Sequence, residues 1–123
     1  MCVKVKKHAR EAILMVRQFV ETTIFTKRWR EIGLNDDDLL ELQRHIMKNT
    51  SAGDIIIGTG GARKIRYALP NKGKRGGVRI IYVDVVHKKH THLLLCYPKG
   101  KQEDLTTEQK KLVQQLAMAL KGE

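Results

Sequence analysis

Arg63-Lys64-Ile65-Arg66-Tyr67-Ala68-Leu69, Pro70-Asn71-Lys72-Gly73-Lys74-Arg75-Gly76-Gly77 and the run from Val78 to Val86 decide the fold of this chain. In the first block Ile65, Tyr67 and Leu69 alternate with Lys64 and Arg66, which a strand sends to opposite faces. The middle block has the glycines, proline and asparagine of a long basic hairpin loop. Val78 to Val86 reads as the second strand. Thr91 to Tyr97 is the third, reached through the turn His87-Lys88-Lys89-His90. Three strands in succession predict an antiparallel meander.

Working outward, Phe19-Val20-Glu21-Thr22-Thr23-Ile24-Phe25 is β-branched and aromatic and predicts a strand. Thr26 to Ile32 follows as a short helix stopped by Gly33. Asn35 suits an N-cap, with Asp36, Asp37 and Asp38 in the first turn where the helix dipole favours acids. Leu39, Leu42, Ile46 and Met47 give this helix one apolar stripe, running to about Asn49. Thr50 to Gly61 is a loop. Beyond the meander, Thr106 and Gln109 match a capping box, and Leu112, Leu116 and Leu120 lie four apart on the last helix. The expected class is α+β, an antiparallel sheet packed against two N-terminal helices and a C-terminal helix.

At 123 residues there is room for one domain, assigned to 15–123. Residues 1–14 are basic before turning apolar at Ala12 and lack the long apolar centre of a signal peptide. They are expected to form an N-terminal extension without fixed structure, a short helix being the alternative.

The 24 Lys+Arg against 13 Asp+Glu give +11 and a pI near 9.9. The excess is local: between Arg63 and Lys101 there are eleven basic residues and one acid, Asp84, or +10. A field of that sign favours a polyanionic partner. No uncharged run approaches the ~20 apolar residues of a membrane span, so no membrane partner is expected. Cys2 and Cys96 are too few for a disulfide framework or a four-cysteine zinc site, and a reduced, cytoplasmic setting is expected.

Gly58-Thr59-Gly60-Gly61 imitates a phosphate loop but fails its spacing. Arg63 stands directly before Lys64 where a P-loop has glycine, and the cluster opens a strand instead of a helix. A tight or bulged entry into the strand is the simpler account. His87, His90 and His92 are separated by lysines and a turn and do not form a ligand set; neither metal nor cofactor is expected. Cys96 reads as a buried strand residue. The basic strands carry the chemistry instead. Lys64 and Arg66 share a face, Arg79 opens the next strand, and Tyr97 and Lys99 end the third. Arg63, Lys72, Lys74, Arg75 and Lys101 surround them as RNA-binding candidates. Guanidinium groups fork onto phosphate oxygens and ammonium groups offset developing charge. Aromatics are too scarce for a broad base-stacking platform.

Through Gly58 to Arg66, Gly73 to Tyr82, the opening Phe19 to Phe25, and Tyr97-Pro98-Lys99-Gly100-Lys101 with Asp104-Leu105-Thr106, the chain resembles the RelE/HigB family of type II toxins, nearest its HigB branch. The resemblance implies a compact RelE-like fold. It implies a metal-independent endoribonuclease that cuts mRNA on the ribosome and inhibits translation. It also implies a cognate HigA-like helix-turn-helix antitoxin, with operator DNA reached only through the toxin–antitoxin complex. Lys64 and Arg66 match the family's basic pair, Arg79 its next arginine, and Lys99 or Lys101 its basic residue after the last strand; Tyr97 joins them as a catalytic candidate. Many relatives carry a Tyr or His near the C-terminus, and this chain has neither after Tyr97. Competing readings are a non-catalytic RNA- or ribosome-binding protein and a co-repressor acting on DNA with its antitoxin.

Overall fold

The computed structural model describes residues 2–4, 17–68, 77–98, 100, 102 and 104–122. In chain order the elements are β1 (Cys2–Lys4), β2 (Gln18–Glu21), α1 (Thr23–Ile32), α2 (Asp36–Lys48), β3 (Asp54–Ile55), β4 (Arg63–Tyr67), β5 (Val78–Val85), β6 (His90–Pro98) and α3 (Thr107–Gly122), with a single 3₁₀ turn at Val86–Lys88. The sheet order is β1-β2-β6-β5-β4-β3. Of the extension expected at 1–14, Cys2–Lys4 forms an edge strand antiparallel to β2.

The α+β class and the β4-β5-β6 meander are as expected, whereas the sheet is mixed: β2 lies parallel to β6, pairing Gln18 with His90 and Glu21 with Leu93. The strand expected over Phe19–Phe25 ends at Glu21, and Thr23 already belongs to α1. Thr22 makes the change. Its hydroxyl accepts from the Phe25 N–H at 2.9 Å and donates to the Leu94 carbonyl at 2.8 Å. This N-cap overrides the strand propensity of Thr-Thr-Ile-Phe. As a result Phe25 and Trp29, one turn apart, stack with ring centroids 5.5 Å apart on the buried face of α1. Gly33 ends α1 in the left-handed conformation, φ 97°, which costs a residue without Cβ little.

Asn35 opens α2 through a reciprocal capping box with Asp38, so the acidic triplet serves the helix start. Leu39, Leu42 and Ile46 face the sheet, where they meet Phe19, Ile65, Tyr67, Ile80 and Tyr82 in one core. On the opposite face α3 forms a second core with Ala62, Ile81, Val83 and Val85. Of its expected leucine stripe, Leu116 and Leu120 pack partly buried against this core, but Val113 and Ala117 form the fully buried seam and Leu112 is 45% exposed. Small side chains here let the helix lie close over Ala62.

The sheet is thus covered on both faces. The register of β6 shifts opposite the Ile81/Tyr82 step, where Leu94 is the extra residue. The Gly58–Gly61 segment is a closed turn. Thr59 Oγ1 donates to the Ile56 carbonyl at 2.6 Å and accepts from Ala62 N–H at 3.2 Å, while the three glycines take positive φ. This is the structural entry to β4 that the failed phosphate-loop spacing suggested.

Candidate functional site

Strand pairing assembles the site. Arg66 on β4 is directly opposite Arg79 on β5, and Arg79 is directly opposite Tyr97 on β6. Paired residues project to the same side of a sheet, so the three form one row across the meander. Lys64, two positions along β4, joins that side. The row lies on the α3 face, beside the core that includes Ile81 and Tyr97. Its partners on the other face, Ile65, Tyr67 and Ile80, hold the strands down against α1 and α2.

Two arginines directly across from one another repel, and native sheets avoid the arrangement unless something offsets it. Arg66 is exposed, but Arg79 is only 3% exposed. Among the described residues the ion pairs are Arg17–Asp84, Arg28–Glu31, Arg44–Glu41 and Lys64–Asp104, and neither row arginine takes part in one. A charge taken that far out of water normally finds a counter-charge. Among the described residues none pairs with Arg79, and Arg66, Arg79 and Lys64 give this side of the sheet its positive charge. Lys64 Nζ, at the row's edge, lies 3.0 Å from Asp104 Oδ1.

A cleft of about 390 Å³ adjoins the row at Tyr97 and runs along Leu95 to Pro98 between α1 and α3. Its walls include Arg28, Glu31, Gln102 and Gln109. The Gln102 amide donates to Gln109 Oε1 and to the Asp104 carbonyl, both at 2.9 Å, fixing the wall at the start of α3. Cys96 also borders this cleft, but burial pushes its thiol up to about 12, with the nearby Arg28 opposing and Glu21 adding to the rise. It is no nucleophile at neutral pH.

Other candidates fall elsewhere. Arg63 projects to the α1/α2 side, and its guanidinium donates to the carbonyls of Gly53 at 2.7 Å and Ser51 at 3.2 Å. It braces the loop before β3 and does not stand with Lys64 and Arg66. Lys72, Lys74, Arg75, Lys99 and Lys101 lie outside the described residues. Tyr67 and Tyr82 are buried in the opposite core, and burial raises both phenols above their ordinary value. Trp29 is core too, so Tyr97 is the one aromatic ring on the row among the described residues. His90 and His92 sit at the far end of β6 with ring centroids 5.8 Å apart. No group of three or more His, Cys, Asp or Glu suited to a metal occurs among the described residues. Likewise, no helix there is long and apolar enough to cross a membrane.

Sequence alone assigned Asp104 no role. The available signal was an acid just ahead of the Thr106–Gln109 capping box, at the point where the chain returns from β6 toward α3.

The family model described as the RelE toxin of the RelE/RelB toxin–antitoxin system matches residues 17–122. The chain belongs to the RelE toxin family. That match spans every described element except β1, and the cationic row of this RelE-family chain falls wholly inside it. Family membership carries the general character of a toxin with a partner antitoxin.

Proposed function

We propose that this RelE-family protein is a ribosome-dependent endoribonuclease of the HigB branch, cleaving mRNA and thereby inhibiting translation. The observation that carries the reading is Arg79, buried beside Arg66 with no counter-ion among the described residues. The pair is a ready receptor for a phosphodiester.

In the proposed reaction the substrate's own 2′-oxygen attacks the adjacent phosphorus. The O2′–P bond forms and the P–O5′ bond breaks, leaving a 2′,3′-cyclic phosphate and a free 5′-hydroxyl. The nucleophile and leaving group both belong to the RNA, so the protein's task is to orient the phosphate and stabilise the pentavalent centre. Arg66 and Arg79 hold its equatorial oxygens. Lys64 and Lys99 move protons or offset charge, and Tyr97 is the remaining proton-transfer candidate. The cations of the row serve in place of a metal ion. Lys72, Lys74, Arg75 and Lys101 extend the RNA path, while Arg63 acts on it only through the loop it braces. The partner is a HigA-like helix-turn-helix antitoxin, operator DNA is reached only in complex with it, and the protein acts in the cytoplasm.

Induced expression followed by mapping of mRNA 5′ ends tests the activity. Translation-dependent cleavage is expected, and its absence would favour non-catalytic RNA binding. Replacing both Arg66 and Arg79 by Ala is expected to abolish growth inhibition while antitoxin binding persists. Full toxicity of that double variant would disprove the site.

A further inference from the structure

We propose that Asp104 is a displaceable counter-ion for Lys64, holding the lysine at the row in the free protein and surrendering it to an RNA phosphate. The inference rests on the nuclease reading and adds to it an internal competitor for the substrate. Lys64 and Asp104 are 40 residues apart in sequence, yet Nζ and Oδ1 are 3.0 Å apart. The two ends of the bridge differ. Lys64 is 23% exposed and stands among the row's cations, whereas Asp104 is 83% exposed and its carboxylate has no other hydrogen bond among the described residues.

The backbone around Asp104 is nevertheless anchored. Its carbonyl accepts from Gln102 Nε2, and two residues on, Thr106 and Gln109 cap α3 reciprocally, at 3.0 and 3.1 Å. Asp104 therefore stands two residues before a capped helix start, while its own side chain is largely in water. An ion pair this exposed gains little net free energy. It suffices to select one direction for a flexible lysine, and it yields readily to a phosphate already gripped by Arg66 and Arg79. Among the described residues, three cations share this side of the sheet and one carboxylate reaches it. In the free protein the carboxylate blunts the charge at Lys64, and on binding the phosphate takes its place.

The test is Asp104→Asn, compared with Asp37→Asn, which removes an equal charge from the remote start of α2. Binding of a fluorescein-labelled ten-nucleotide single-stranded RNA is followed by anisotropy across a salt series. Single-turnover cleavage on mRNA-programmed ribosomes is measured alongside. Asp104→Asn is expected to bind about two- to fivefold tighter at low salt. Its salt dependence should steepen by roughly 0.7 in log–log slope. In a Lys64→Met background the same change is expected to do nothing. Affinity unchanged relative to Asp37→Asn, or tightened equally without Lys64, would overturn the proposal. So would a loss of cleavage with no gain in affinity, which would make the carboxylate a proton-transfer group. Equal binding by the wild type and Arg66→Ala would overturn the reading of the row itself, and this inference with it.

Discussion

The role proposed for Arg79 rests on the surroundings of a single side chain. Its charge is ordinary; its position between Arg66 and Tyr97, almost out of solvent, is not. A lysine there would keep the charge and lose the planar fork that, in the proposed reaction, meets two phosphate oxygens at once. Arg79→Lys is accordingly expected to retain the fold and to lose about 10²- to 10³-fold in single-turnover cleavage, the usual cost of one misplaced transition-state donor. Thermal unfolding alongside the rate measurement separates that loss from destabilisation. The position of this residue, as distinct from its proposed role, was legible in the sequence. Strand alternation put Lys64 and Arg66 on one face, and the hairpin brought Arg79 opposite. Alternation also sent Arg63 to the other face, but nothing local showed that its guanidinium would satisfy the carbonyls of Ser51 and Gly53 there.

At the scale of elements, Thr22 shows how one hydroxyl sets a boundary. It caps α1 and ties that cap to β6. Thr22→Ala removes both bonds and is expected to lower stability by about 1–2 kcal/mol in urea unfolding, with the denaturant slope unchanged. The residues around it explain where sequence reading succeeds and fails. The helix from Asn35 was plain because its cap, its acids and its apolar stripe all agree. The Thr22–Phe25 stretch was misleading because its composition favours a strand, whereas burial of Phe25 under Trp29 requires a helix. The parallel docking of β2 on β6 left no local mark at all, being fixed by contacts between segments far apart in the chain. In α3 the leucine spacing was conspicuous, yet the close approach to Ala62 selects Val113 and Ala117 for the buried seam.

For the whole molecule, two cores on either side of one sheet keep the row rigid, and acidity is expected to loosen them at a definite place. Burial pushes the His92 imidazole below its ordinary value of 6.5, with His90 and Lys88 adding repulsion. The groups facing it on the neighbouring strands are Val20 and Val83, neither of which titrates. The folded state thus binds fewer protons than the unfolded chain. His92's contribution is complete above about 6.5 and declines as pH falls below it. His92→Gln is expected to flatten that decline in a melting-temperature series from pH 8 to pH 5; an unchanged profile would assign it elsewhere. β6 also governs when the molecule can exist. Thr22 and its Leu94 partner are 72 positions apart. While the chain is being synthesised, β2 and α1 must wait for β6 before their shared sheet can close, and Arg66 and Arg79 wait beside them for Tyr97. Long-range closure of this kind is slow relative to local hairpin formation. The row from Arg66 to Tyr97 is therefore complete only once β6 has been synthesised and paired with β5.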